Sequence, residues 1–257
     1  MKVSDLYSLQ DRVAIVTGAR RGIGAAIALM LAEAGAHVVV CDIEIDSGEL
    51  ADVTQKIAQM GRRSLALKAD VSVKTEVETV VAKTLAEFGQ INILVNNAGS
   101  GRGFGVLDIS EEDWDRTMAV NLKGTMLFCQ AAGRHMAERR AGCIVNIASI
   151  AGMKAIRERA RPYAASKAAT IMLTRELARE LGPYNIRVNA VAPGSIRTEM
   201  MRSVWTDAER MKALAASSFL GRMAEPEEVA SVVLFLVSDG AAWITGQAVR
   251  ADGGTLA

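Results

Sequence analysis

Val13-Ala14-Ile15-Val16-Thr17-Gly18-Ala19-Arg20-Arg21-Gly22-Ile23-Gly24 reads as a short buried strand, a glycine turn and the start of a helix. Five apolar or β-branched residues lead into three glycines, whose missing side chains let the backbone come close to a ligand. A helix that starts in such a turn presents unpaired N–H groups and the positive end of its dipole, a combination that favours a phosphate. The spacing, Gly-x-x-x-Gly-x-Gly, departs from the dinucleotide fingerprint Gly-x-Gly-x-x-Gly. Its context carries the weight: Asp42 ends the next apolar run, 18 residues beyond Gly24, where an acidic residue is expected to meet a ribose.

Outward from this unit the same alternation continues. Short β-branched runs fall at Val13 to Thr17, Ala36 to Cys41, Ser64 to Lys68, Ile91 to Val95, Cys143 to Ala148, Ile186 to Val191 and Gln247 to Arg250. Between them, Gly24 to Ala34, Asp46 to Met60, Val73 to Phe88, Glu111 to Arg139, Tyr163 to Leu181 and Pro226 to Val237 carry apolar residues at helical spacing. Seven strands alternating with helices predict an α/β fold, a Rossmann-like doubly wound parallel sheet with helices on both faces. Nearly continuous apolar strand cores agree with a sheet covered on both sides. With four prolines in 257 residues and no linker or repeat, residues 1–257 are expected to form a single dinucleotide-binding and catalytic domain. The segment from Pro193 to Arg222, Met-rich and outside the alternation, reads as a substrate lid over residues 192–222.

Composition narrows the function. A net charge of +1 gives no general electrostatic reason to bind nucleic acid or an anionic membrane, and a small-molecule partner is expected. The apolar-flanked Cys41, Cys129 and Cys143, an odd count without Cys-x-x-Cys, read as reduced core thiols and point to the cytoplasm. Neither an apolar leader at Met1 to Gln10 nor an uninterrupted apolar run of about 18 residues is present, so neither secretion nor a membrane span is inferred. His37 and His135 are the only histidines and read as structural. There is no metal-ligand spacing and no Gly-x-x-x-x-Gly-Lys-Ser/Thr. Ser149 sits in Ile147-Ala148-Ser149-Ile150-Ala151-Gly152 rather than Gly-x-Ser-x-Gly. Zinc dehydrogenase, kinase and α/β-hydrolase chemistry are therefore not expected.

A carboxylate at Asp42 can accept both hydroxyls of an adenosine ribose and repel a 2′-phosphate, which favours NAD over NADP. Arg20 and Arg21 weigh against this, since a guanidinium suits a phosphate; the alternative is a positive wall around the pyrophosphate. Asp70, after the third strand, is placed either to meet the adenine amino group or to cap the next helix.

Catalytic chemistry is suggested by Tyr163 and Lys167, four residues apart and so on one face of a helix. Bringing a phenol from pH ~10 towards neutrality takes about 3 pK units, or roughly 4 kcal/mol. A cation about 4 Å away at an effective dielectric of ~20 supplies about that much. Asn96-Asn97-Ala98-Gly99 follows the fourth strand and Ser149 the fifth, both at the carboxyl edge where open α/β sheets bind ligands.

Taken in order, Thr17-Gly-x-x-x-Gly-x-Gly24, Asp70, Asn96-Asn-Ala-Gly99, Asn121, Ser149, Tyr163-x-x-x-Lys167 and Pro193-Gly-x-Ile-x-Thr198 resemble the motifs of the classical short-chain dehydrogenase/reductase family, over almost the whole chain. The resemblance implies an oxidoreductase that moves a hydride between NAD(H) and a secondary alcohol or ketone. Tyr163 would be the proton-transfer group, and Lys167 would depress its pKa and hold the nicotinamide ribose. Ser149 would hold the reacting oxygen, and Asn121 would support a water chain from Lys167. Gly18, Arg20, Arg21, Gly22, Ile23, Gly24, Asp42, Asp70, Val71, Asn97, Ala98, Gly99, Pro193, Gly194, Ile196 and Thr198 would line the cofactor, with Thr198 at the carboxamide. No metal is implied. Family members of this size are commonly homotetramers, and the apolar Ile171, Met172, Leu173, Leu177 and Leu181 are compatible with a helix–helix interface in such an assembly.

Substrate information is sparser. Lys154, Arg157, Arg159 and Arg161 against Glu158 give the loop Met153 to Arg161 a net charge of +3, which suggests either an anionic substrate such as a hydroxy acid or sugar acid, or a subunit contact. Arg102 is a second candidate for the same task. The interval of 14 residues from Ser149 to Tyr163 is one longer than in many members of the family. An alcohol, polyol, sugar-acid or hydroxy-acid dehydrogenase ranks above its alternatives, a 3-oxoacyl-type reductase using NADP(H) or a dinucleotide sensor without turnover.

Overall fold

The computed structural model describes residues 2–101, 105–155 and 161–257, apart from the side chains of Arg161, Ser203 and Val204. Seven parallel strands, β1 (Val13–Thr17), β2 (His37–Asp42), β3 (Ser64–Lys68), β4 (Ile93–Asn96), β5 (Gly142–Ile147), β6 (Ile186–Pro193) and β7 (Ala248–Ala251), form one sheet in the order β3-β2-β1-β4-β5-β6-β7. The chain winds outward from β1 in one direction through β3, then returns to the other side of β1 with β4. The switch point thus lies between β1 and β4, where such sheets bind ligands.

The helices follow in chain order: α1 (Val3–Leu6), α2 (Gly22–Glu33), α3 (Glu49–Gln59), α4 (Lys74–Phe88), α5 (Glu111–Met118), α6 (Gly124–Arg139), α7 (Arg161–Leu181), α8 (Arg202–Trp205), α9 (Ala208–Ala216) and α10 (Pro226–Val237). Alternating side chains on the strands feed two cores. Ala14, Val16, Val38, Val40 and Val95 pack against Ile27 and Leu31 of α2 and Val233 and Leu236 of α10. Ile15, Val39, Leu94 and Ile144 face the other way, onto Val77 and Val80 of α4 and Phe128 and Met136 of α6.

Two expectations need correcting. The stretch Glu111 to Arg139 is not one regular helix: a π-helical turn, Ala119–Lys123, separates α5 from α6, and the Gly124 N–H reaches back to the Ala119 carbonyl. A one-residue bulge leaves the apolar spacing on either side almost unchanged, so periodicity does not reveal it. On α7, Leu177 and Leu181 pack against the core and Ile171 is buried, which leaves Met172 exposed and Leu173 half-buried. Three of the five residues that suggested an interface are engaged within the chain itself.

Cys41, Cys129 and Cys143 are buried free thiols. Burial pushes Cys129 up to about 12 and Cys143 up to about 11, which keeps these thiols protonated and inert. Among the described residues no helix is long and apolar enough to cross a membrane, and no group of three or more His, Cys, Asp or Glu side chains is placed to hold a metal ion.

Candidate active site

Because all seven strands are parallel, the ends of β1, β2, β4, β5 and β6 open on one edge, and the candidate residues follow those ends. The β1 turn is stitched to the β4 loop across the switch point. Thr17 Oγ1 accepts the main-chain N–H groups of Asn97 and Ala98, each at 3.0 Å. The Asn97 amide donates back to the carbonyls of Thr17 (3.0 Å) and Gly18 (2.9 Å).

The glycines of this turn answer to crowding. A Cβ on Gly24 would stand 2.2 Å from the Gly18 oxygen and 2.4 Å from Asn97 Nδ2. Gly24→Ala must therefore push the turn and the Asn97 amide apart. The expected result is a loss of about 1–3 kcal/mol by overpacking and at least tenfold weaker binding of NADH, read by thermal melting and by fluorescence titration. An unchanged affinity would argue that the turn does not contact the cofactor.

The first turn of α2 has no side-chain cap, so its leading N–H groups are available to an anion. Gly22 faces Thr198: a Cβ there would lie 3.4 Å from Thr198 Cγ2. Asp42, at the end of β2, accepts from the N–H groups of Arg20 (3.3 Å) and Glu44 (3.2 Å). Open glycine backbone, an uncapped helix start and a carboxylate one strand away fit a dinucleotide whose phosphates lie on the turn and whose ribose lies at Asp42.

Not every expected contact has a side chain free to make it. Ile196 is buried at 4% exposure and pairs through its main chain with Ala224. Val71 is buried against Gly124, and Gly194 is packed against Asp252. Asp70 does not cap α4, whose N-cap is Val73; its Oδ1 accepts from the Ser72 N–H and hydroxyl, at 2.9 and 2.7 Å. Pro193 ends β6 in the core, Ala98 is half-buried, and Arg21 is exposed beside the turn.

Further along the same sheet edge, Lys167 is buried at 4% exposure and donates to the Ile147 carbonyl at 2.6 Å. Its ammonium lies 5.7 Å from the centre of the Tyr163 ring, close enough for a cation–π attraction. Burial pulls the Lys167 pKa down from its ordinary value to about 8. Ser149 is buried, caps the 3₁₀ turn Ile150–Gly152, and accepts the Ala151 N–H at 3.1 Å. An accepting hydroxyl keeps its own proton to donate.

Asn121 sits in the π turn, fully buried. Its amide donates to the Ser100 carbonyl and to Ser166 Oγ, both at 2.9 Å, and its Oδ1 accepts the Ser100 N–H at 2.7 Å. Ser166 Oγ in turn donates to the Tyr163 carbonyl at 2.7 Å. Asn121 is thus a clamp joining the β4 loop to α7. With its amide committed, what it can offer a water is the main-chain carbonyl, which also accepts Thr125 Oγ1 at 2.9 Å.

Three residues here escaped sequence reasoning. Ser166 links Asn121 to Tyr163, and its only signal was a small polar residue beside Lys167. Gly152 lets the loop after Ser149 lie against α7, since a Cβ there would stand 2.6 Å from the main chain at Lys167 and Ala168. Gly101 lies between Tyr163 and Met200: a Cβ would come within 2.9 Å of Met200 Sδ and 3.8 Å of Tyr163 Cδ2. Arg102, Arg157, Glu158 and Arg159 lie outside the described residues, as does the side chain of Arg161; Lys154 is exposed. His37 and His135 lie away from this edge, His37 at the start of β2 stacked on Phe88 and His135 towards the far end of α6. Burial holds both below the usual histidine range.

Residues 18–255 match the family described as enoyl-(acyl carrier protein) reductase. Similar over nearly full length are an NAD-dependent glycerol dehydrogenase from Listeria innocua, 44% identical over 96% of this chain and 95% of the relative, and a 3-oxoacyl-[acyl-carrier-protein] reductase from Chlamydia trachomatis, 40% identical over 96% and 98%. A short-chain type dehydrogenase/reductase from Mycobacterium marinum superimposes with a TM-score of 0.94 at 36% identity, over 99% of both chains. The chain belongs to the classical short-chain dehydrogenase/reductase family. As a short-chain dehydrogenase/reductase it is an NAD(P)-dependent oxidoreductase that interconverts alcohols and ketones. The family's doubly wound fold is the one predicted from the strand–helix alternation.

Proposed function

We propose that the protein is an NAD-dependent dehydrogenase of polyols or related secondary alcohols, among which sugar acids and hydroxy acids are included. The observation that carries the cofactor choice is the state of Asp42 and Arg20. A carboxylate stands where the adenosine ribose belongs, and Arg20 is turned onto acidic partners. Similarity to a glycerol dehydrogenase supports a polyol.

When bound, the nicotinamide accepts or returns the hydride. In oxidation the Tyr163 oxygen takes the proton from the substrate hydroxyl, and in reduction it gives one to the carbonyl oxygen. Ser149 donates its hydroxyl proton to the same oxygen and fixes it near Tyr163. Lys167, buried beside the tyrosine ring, favours negative charge on the phenol oxygen and holds the ribose hydroxyls. Asn121 keeps the β4 loop and α7 in register through Ser100 and Ser166, with its carbonyl available to a water leading to solvent. Gly18, Gly22, Ile23, Gly24, Asn97, Ala98, Gly99, Pro193, Gly194 and Thr198 line the cofactor, with Val71 and Ile196 contributing main chain and packing. Arg21 adds positive potential near the phosphates, and Asp70 borders the adenine.

The lid read over residues 192–222 begins beyond Pro193, since residues 192 and 193 are the buried end of β6, and Met200 lies across Gly101 from Tyr163. The lid is braced internally by Trp205 Nε1, which donates to the Thr198 carbonyl, and is tied to the C-terminal segment by Ser218 Oγ, which donates to the Gly253 carbonyl. The whole chain works as one domain, in the cytoplasm and as a homotetramer.

A second reading, a 3-oxoacyl-type reductase using NADP(H), is favoured by the Chlamydia relative. Measuring kcat/KM for glycerol, tetritols and gluconate with NAD, and for a 3-oxoacyl thioester with NADPH, separates the two. We expect the polyol–NAD pair to win. A tenfold preference for NADP, or turnover confined to the thioester, would sink the proposal.

A further inference from the structure

Arg20 is held between two carboxylates. Its side chain is 17% exposed, its Nε lies 3.6 Å from Asp42 Oδ1, and its Nη1 donates to Glu49 Oε2. Glu49 is the first residue of α3 and also accepts the Ser47 hydroxyl at 3.3 Å. Buried away from solvent, Arg20 Nε has no hydrogen-bond acceptor, so the guanidinium is positioned by charge more than by a complete set of bonds.

This arrangement bears on a 2′-phosphate. A phosphate placed at the ribose beside Asp42 brings about −1.5 to −2 charges. Arg20 is the side chain in contact with Asp42 that could answer it, and a planar guanidinium is the group best suited to do so. In the structure that guanidinium is shared out. With Asp42, Glu49 and Arg20 all ionised, the cluster carries a net charge of −1, and the phosphate would join an already anionic site. With Glu49 uncharged the cluster would be neutral and one end of the guanidinium would be released.

We infer that Glu49 is a positioning residue for cofactor specificity: it withholds Arg20 from the 2′-phosphate of NADP. The inference rests on the NAD reading above and goes beyond it, because Asp42 alone would leave Arg20 able to turn outward.

The test is calorimetric titration of adenosine 5′-monophosphate and adenosine 2′,5′-bisphosphate, which differ only in the 2′-phosphate, at low ionic strength where the charge effect is least screened. The wild type should bind the monophosphate more tightly. Glu49→Gln and, as a second variant, Glu49→Ala should improve bisphosphate binding at least threefold relative to the monophosphate. Glu49→Asp, which keeps the charge, should retain the wild-type ratio. Adding Arg20→Ala to Glu49→Gln should abolish the gain. A wild type that prefers the bisphosphate defeats the NAD reading itself. A wild type that prefers the monophosphate, combined with a ratio that moves less than threefold in Glu49→Gln, overturns the role of Glu49 and leaves the NAD reading standing. A gain that survives loss of Arg20 overturns it as well.

Discussion

Replacing Tyr163 by phenylalanine is expected to lower turnover by at least a thousandfold while NADH affinity stays within about threefold of the wild type. The variant removes the phenol oxygen, the atom that would carry the proton, and keeps the ring. The ring facing the Lys167 ammonium at 5.7 Å is retained, and the bond from Ser166 Oγ goes to the main-chain carbonyl at position 163. The Asn121–Ser166 clamp does not use the phenol oxygen and therefore persists. General acid–base catalysis is typically worth ~10²–10⁴-fold, and here the transferred proton has no histidine to take it, since both histidines lie away from the site. Steady-state kinetics alongside a fluorescence titration separates lost chemistry from lost binding.

Lys167→Met should also cost at least a hundredfold in turnover, and it carries a second signature in stability. The ammonium is buried with the Ile147 carbonyl as acceptor, and burial lowers its pKa from 10.5 to about 8. Below pH 8 the charged form is held in the folded chain at a loss of stability. Between about pH 8 and 10.5 the folded protein gives up a proton that the unfolded chain keeps, so the contribution of this group rises with pH. The slope is at most about 1.4 kcal/mol per pH unit. Methionine has no such titration. The cofactor-free variant should thus be as stable as the wild type or more so at pH 7, and should lose ground to it by pH 9.5. Urea denaturation of both proteins at the two pH values reads the difference, in which thiols common to both cancel. A difference that does not change with pH would show that the buried amine does not titrate in this range.

The fold was legible because its signals are local. Thr17 to Gly24, the apolar runs and Asp42 each announce themselves within a few residues, and strand ends differ from expectation by only one or two positions, as where β4 begins at Ile93 rather than Ile91. Tyr163 and Lys167 were legible for the same reason, being one helical turn apart. What stayed hidden depends on residues distant in sequence. Ser166 matters because Asn121, 45 positions earlier, is turned inward by the π turn. Glu49 matters because the β1–α2 turn and the start of α3 meet beside β2, 29 residues from Arg20. By sequence Leu177 and Leu181 are compatible with a helix–helix interface, yet they pack against the core of their own chain. Each of these needs the crossover geometry, which periodicity does not contain.

The central claim is that Tyr163, with the buried Lys167 beside it, moves a proton while a secondary alcohol gives up a hydride to NAD. It is tested most directly by following absorbance at 340 nm with NAD and a panel of polyols, for the wild type and Tyr163→Phe side by side. The wild type should form NADH on at least one polyol, and the phenylalanine variant should do so at least a thousandfold more slowly. NAD binding without turnover on any alcohol, or equal rates in the two proteins, would contradict it.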